Sequence, residues 1–308
     1  LSLLQISARM KQERPVFIVG APRSGSSILY RSLLQHPAFA GRELNLAEAD
    51  PLAMAYRAHQ LSPQRFPGAL DYLLDDRDAF ERFVAGLGPL RGLHRLLGWV
   101  RRARRLRDAL PCWRGLGNTL LLRAFFFHAR EVRGADRLVE KTPRYARRLA
   151  LLRAAFPEAR FLYIVRHPVD AYGSWRRRAA VDEAAGWAQI SPEVFCARYR
   201  GDLEAVWRWQ KRRAGSLHLL RYEAFAARPA AVFADVCVFL EELPAPSALA
   251  GPERSFPSAA RIDPDLMRPV ADRSKHWRDH LSPDTARRIE DALADLLGPL
   301  GYERYTGE

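Results

Sequence analysis

The sequence predicts an α/β protein, a three-layer fold with a central, mostly parallel sheet and a helical insertion. Three observations lead there. Four short apolar stretches, 16–20, 137–139, 160–165 and 217–221, are partly β-branched or aromatic, and each ends in charged or turn residues. Strands buried on both faces by helices look like this. Helix-like segments separate the strands, as parallel crossovers require. Segment 43–134 holds several helix-like stretches and no convincing strand. It reads as an insertion after the first strand, inside one domain spanning 1–308.

The first strand, Val16 to Val19, runs into the turn GAPRSG, and a helix opens near Ser26. Such a strand–loop–helix junction aims backbone N–H groups at one spot, and the helix dipole adds partial positive charge there. The spot suits a phosphate or a similar anion. The spacing of Gly20 and Gly25 resembles the nucleotide-binding loop G-x-x-x-x-G-K-S/T. Ser26, however, stands where that loop has its lysine, and the cation comes earlier, at Arg23. A loop without the lysine is poorly suited to transfer of a γ-phosphoryl group.

The insertion contains RGLHRLLGWVRRARRLRDAL at 91–110, with Leu, Trp and Val on one helical face and arginines on the other. Three readings stay open for it: a surface helix with a solvated face, an anion-attracting lid over the site, or a helix making peripheral contact with an anionic membrane. The second strand leads into VEKTP at 139–143, which places Lys141 just beyond a strand end. The third strand belongs to RFLYIVRHPVDAYGSW at 160–175, with Arg166 at its end and Ser174 eight residues later. Arg178 follows Ser174 by four positions and so shares its helical face. The fourth strand ends in RYEAF at 221–225. In sheets of this kind ligands bind beyond the carboxyl ends of the strands, and both Arg23 and Arg166 lie at such ends.

PRSGSS at 22–27 resembles the 5′-phosphosulfate loop of sulfotransferases that use 3′-phosphoadenosine-5′-phosphosulfate (PAPS), a P-loop-like fold. The Arg166…Ser174 unit resembles the element that holds the cofactor's 3′-phosphate in that family. RYEAF, RPVADRSKHWRDHLSP (268–283) and LGPLGYE (297–303) extend the resemblance in patches from residue 15 to about 303, with 43–134 largely outside it. The resemblance implies a PAPS-dependent sulfotransferase acting on an acceptor hydroxyl, and no metal. Cofactor contacts would come from Arg23, Ser24, Gly25, Ser26 and Ser27 at one end and from Arg166, Ser174 and Arg178 at the other. Tyr222 would pack on or bond the adenosine, and Arg268 matches a phosphate-binding lysine of the tyrosylprotein subgroup. Arg23 and Lys141 would stabilise the leaving group. Glu43, in HPAFAGRELN, matches the glutamate that serves that subgroup as base, and His94 and His128 are alternative bases. His36 and His167 read as turn or packing residues.

Composition bounds the rest. The net charge of +14, mostly arginine, attracts polyanions without choosing among them, and no specific nucleic-acid motif accompanies it. The longest apolar stretch, TLLLRAFFF at 119–127, is short and broken by Arg123, so no transmembrane helix is expected. Cys112, Cys196 and Cys237 are dispersed and read as ordinary thiols of a reducing compartment. Residues 1–14 lack the features of a signal peptide. The expected location is the cytoplasm, with a segment upstream of Leu1 left open. The acceptor (small molecule, lipid, carbohydrate or peptide) and the oligomeric state are not legible. Two other functions compete: a P-loop kinase or NTPase, and a non-catalytic polyanion- or membrane-binding protein.

Overall fold

A computed structural model of the chain describes residues 14–21, 23–39, 137, 139–141, 143–181, 189–249, 270 and 276–306. Two compact units divide it. One comprises Leu1–Val16, Ala38–Leu138 and Arg148–Ala159, the other Phe17–Pro37, Val139–Arg147 and Arg160–Glu308. The expected insertion at 43–134 lies outside the described residues.

Four strands form one parallel sheet: β1 (Val16–Gly20), β2 (Val139–Lys141), β3 (Arg160–Val165) and β4 (Leu217–Arg221), in the order β2-β1-β3-β4. The pairing of β3 with β4 is parallel, in register from Phe161 opposite Leu217 to Val165 opposite Arg221. The chain passes from β1 to a neighbour on one side and then returns to β3 on the other. That reversal makes the crevice beyond the ends of β1 and β3 the switch point at which open α/β sheets bind ligands.

β1 and β3 are buried almost throughout, as strands covered on both faces must be. Phe17 stacks on Phe161 at 5.8 Å, and Trp209 meets Phe161 edge-on at the same distance. β2 departs from its expected span, 137–139. It begins at Val139 and continues through Glu140 to Lys141. Alternation along a strand turns Glu140 to the face opposite Val139 and Lys141. Glu140 is buried there and acts electrostatically on Lys141, so opposite charges continue a strand that apolar periodicity alone would end.

The helices of the second unit are α1 (Ser26–Gln35), α3 (Pro168–Val181), α4 (Pro192–Arg212), α5 (Tyr222–Ala227), α6 (Pro229–Leu240), α7 (Pro283–Ala292) and α8 (Ala294–Leu297). Starts follow local chemistry. Ser191 accepts from the N–H of Val194 to open α4, Ser282 accepts from that of Thr285 to open α7, and each has proline at the next position. Arg147, just after β2, donates to Asp202 on α4 at 2.5 Å. In the first unit, α2 (Leu149–Ala155) is followed by a turn in which Arg153 donates to the carbonyl of Ala159 at 2.8 Å. Arg137 of that unit donates to the carbonyl of Arg14 and lies over the Phe39 ring.

Cys196 and Cys237 are buried free thiols. Among the described residues no helix is long and apolar enough to cross a membrane.

Candidate active site

The loop after β1 is built for close approach. Gly20 ends the strand with φ +150, and a Cβ on it would stand 2.5 Å from the carbonyl oxygen of Ile164 on β3. Gly25 caps α1 with φ +91, and a Cβ on it would meet the Tyr222 ring at 2.4 Å. Both glycines are therefore needed sterically and conformationally. Arg23 adopts φ +71, a left-handed conformation that non-glycine residues rarely hold. The bend ends in a bond from the N–H of Ser24 to the carbonyl of Ala21. The Gly25 carbonyl accepts from the N–H groups of Ile28 and Leu29 at 3.0 and 3.2 Å, which leaves the N–H groups of Ser26 and Ser27 ahead of the first intrahelical bond, and no acidic side chain occupies that turn. Ser24 Oγ is fully buried at the loop's inner face and lacks a hydrogen-bond partner among the described residues. Ser26 is buried and Ser27 half-buried.

The other strand ends bring their side chains to this loop. Arg23 Nε donates to Ser174 Oγ on α3 at 3.1 Å, which joins the two motifs directly. Arg23 also acts on Lys141 at the end of β2. Desolvation lowers the Lys141 ammonium below the usual lysine value, Glu140 opposes that shift and the Arg23 charge adds to it. Two cations thus share one neighbourhood, an arrangement that favours an anion between them. Arg166, at the end of β3, is 8% exposed. Its guanidinium lies 4.5 Å from the centroid of the Tyr222 ring, and its carbonyl accepts from the hydroxyl of Tyr199 at 2.8 Å. Tyr222 is therefore a spacer, with Gly25 packed on its ring and Arg166 over it. Arg178 lies half-buried on α3, one turn beyond Ser174.

Arg23, Ser24, Gly25, Ser26, Ser27, Lys141, Arg166, Ser174, Arg178 and Tyr222 all belong to the second unit. The structure links Arg23 with Ser174 and Lys141, and Gly25 with Tyr222 and Arg166. Glu43, Arg268, His94 and His128 lie outside the described residues. His36 and His167 are packing residues. The former bonds the carbonyl of Leu243 through Nε2 at 2.7 Å and the latter is wholly buried. Among the described residues no cluster of His, Cys, Asp or Glu is placed to hold a metal ion.

Glu223 escaped the sequence reading. Its carboxylate accepts from the backbone N–H of His167 and from the Tyr302 hydroxyl, each at 2.8 Å. It fixes the junction between β3 and α3 where Arg166 emerges. Its place beside Tyr222 in RYEAF was the available signal.

Comparison with known proteins bears on the family and the fold. The sequence pattern of the sulfotransferase family matches residues 15–245, more than half of the chain. No curated protein sequence matches significantly. Among solved structures, the sulfotransferase domain from the curacin biosynthetic pathway superposes with a TM-score of 0.52 at 21% identity, covering 95% of this chain and 99% of that one. The sulfotransferase STF9 from Mycobacterium avium superposes with a TM-score of 0.51 at 16% identity, covering 97% of this chain and 82% of that one. At such identities the likeness concerns the fold.

Proposed function

We propose that this chain, which belongs to the sulfotransferase family, takes PAPS as its donor and transfers the sulfuryl group to an acceptor hydroxyl. The observation that carries the reading is the 3.1 Å hydrogen bond from Arg23 to Ser174. It brings together a loop suited to a 5′-phosphosulfate and a helix suited to a 3′-phosphate. The donor set fits such a ligand. Arg23, Lys141, the N–H groups of Ser26 and Ser27 and the buried Ser24 Oγ, unpartnered among the described residues, gather cationic and donor groups at one end. Arg166, Ser174 and Arg178 supply a second group of donors at the other.

When bound, PAPS supplies an activated sulfuryl group on a phosphate leaving group. The chain's own residues position and neutralise. Loose transfers of this type need little covalent help from the protein, so catalysis rests on orientation and on charge placed where the leaving oxygen becomes negative. Arg23 and Lys141 hold positive charge at that place, and a guanidinium fork can bond two oxygens of one anion. Arg166 anchors the distant phosphate and so fixes the reacting end. Glu43 is assigned the acceptor proton, since a carboxylate raised in pKa by an apolar acceptor site can remove it.

The test is calorimetric titration with 3′-phosphoadenosine-5′-phosphate (PAP), with ATP plus magnesium as comparator. It is followed by transfer of radiolabelled sulfate from PAPS to a panel of sugars, phenols, lipids and tyrosine peptides. Tight PAP binding with labelled product supports the reading. Preference for ATP, or no nucleotide binding, overturns it.

A further inference from the structure

The segment Tyr302–Thr306 is bound to the start of α3 from several directions. Tyr305 lies flat on the His167 ring, with centroids 3.7 Å apart and planes within 14°, and Tyr302 meets the same ring edge-on at 5.2 Å. The Tyr305 hydroxyl donates to Asp170 in the first turn of α3 at 2.9 Å. His167 Nδ1 faces the N–H of Val169 and Nε2 faces the carbonyl of Glu303, at 3.4 and 3.1 Å. The hydrogen-bond network thereby assigns the neutral tautomer with its proton on Nε2. Beneath the segment, the wholly buried Glu290 of α7 accepts from the backbone N–H groups of Tyr305 and Thr306, at 2.5 and 3.1 Å, and from the Thr306 hydroxyl. Glu223 completes the clamp by bridging Tyr302 to the His167 peptide.

His167 directly follows Arg166. A residue between a strand end and a helix start sets where the preceding side chain points, because its peptide plane fixes the direction of both neighbours. A fully buried ring wedged between two tyrosines cannot rotate or slide without breaking several contacts at once. This is more fastening than the start of one helix needs, and it is concentrated on the residue beside the proposed phosphate anchor.

We infer that Tyr305 is a positioning residue for the 3′-phosphate: by holding His167 it aims the guanidinium of Arg166. The inference rests on the PAPS reading and gives Tyr305 a role exerted through His167. Selectivity for a nucleotide carrying a 3′-phosphate over one without it should then depend on Tyr305.

The experiment compares PAP with adenosine 5′-monophosphate, which lacks only the 3′-phosphate, on the full chain by calorimetry. In wild type PAP binds more tightly. Tyr305→Ala is expected to weaken PAP binding at least tenfold while leaving the monophosphate within about twofold, so that the ratio of the two affinities collapses. Tyr305→Phe keeps the stack and loses only the Asp170 bond, and it should lower the ratio by less. A purely structural role would reduce the melting temperature and leave the ratio unchanged in both variants, which would overturn the inference. Should Tyr305→Ala fail to fold, the ratio in Tyr305→Phe together with Tyr305→Leu decides the matter in the same way. Wild-type protein without preference for PAP would overturn the sulfotransfer reading itself, and this positioning role with it, before any variant is compared.

Discussion

Arg23 and Ser174 are separated by 151 positions in sequence and joined by a 3.1 Å hydrogen bond from Nε to Oγ. One belongs to the loop after β1 and the other to the second turn of α3. Their contact makes the two anion-binding elements a single unit. Losing a charge-assisted hydrogen bond costs about 1.5–3 kcal/mol, or about 10- to 150-fold in affinity. Arg23→Ala and Arg166→Ala are each expected to weaken PAP binding by that factor or more, and Ser174→Ala by less. Because Arg23 and Ser174 touch, their double variant should lose less than the two single losses combined. Calorimetry checks this, and near wild-type affinity in both arginine variants would defeat the site assignment.

Gly25 and Tyr222 carry a second prediction. A left-handed conformation costs a non-glycine residue about 1–2 kcal/mol, and the Cβ of Gly25→Ala would also stand 2.4 Å from the Tyr222 ring. The variant should be destabilised by more than the conformational cost alone. Adding Tyr222→Leu should return the steric part and leave the conformational part. Urea unfolding of both variants, compared with the single Tyr222→Leu, separates the two. Equal loss in the presence and absence of Tyr222 would show that the clash is relieved by other means.

Local chemistry made much of this legible. Strand ends followed by Gly, Arg and Ser at fixed spacing announced β1, β3 and the anion-binding loop, because those residue types answer steric and charge requirements that act within a few positions. The end of β2 was misplaced by two residues, since the buried Glu140 breaks the apolar run that signals a strand. Glu290 was invisible for a different reason. In DTARRIEDA it looks like one more solvated charge, and the backbone donors of Tyr305 and Thr306, 15 and 16 positions away, together with the Thr306 hydroxyl, make its burial tolerable. Glu223 and Tyr302 are likewise linked across 79 positions. Contacts of this kind have no period that a local reading can detect.

Lys141 should shape the alkaline side of the activity profile. Desolvation and the nearby Arg23 lower its pKa, so it loses its proton at lower pH than an exposed lysine. If its charge assists the leaving group, turnover falls as that proton leaves. Lys141→Arg, which stays charged, should carry activity to higher pH, and Lys141→Ala should reduce kcat at least tenfold with a smaller change in PAP affinity. An unchanged alkaline limb in Lys141→Arg would remove Lys141 from the chemistry.

For Glu43 the expected signature is a sharper form of the same split between binding and turnover. Glu43→Gln should bind PAP as wild type does, yet lose about 100-fold or more in kcat, the size associated with a general base. Single-turnover measurements with saturating PAPS make the comparison. An active variant would return the role to His94 or His128, each testable by the same substitution to glutamine.

His167 predicts how stability responds to acid. Burial lowers its pKa to about 4 from the usual 6.5, more than the Glu303 carbonyl and the Asp170 and Glu290 carboxylates can restore, and the Arg221 charge lowers it further. Above pH 6.5 the ring is neutral in folded and unfolded chains alike and contributes no pH dependence. Between 6.5 and about 4 the unfolded chain takes up a proton that the folded one refuses. Stability therefore falls with decreasing pH by about 1.4 kcal/mol per unit, roughly 3 kcal/mol in all, and the decline from this residue levels off below about 4. His167→Asn removes the titration whatever it does to absolute stability. Urea unfolding at several pH values through that window should give a shallower slope for the variant than for wild type, and parallel slopes would mean that His167 does not carry this share of the acid response.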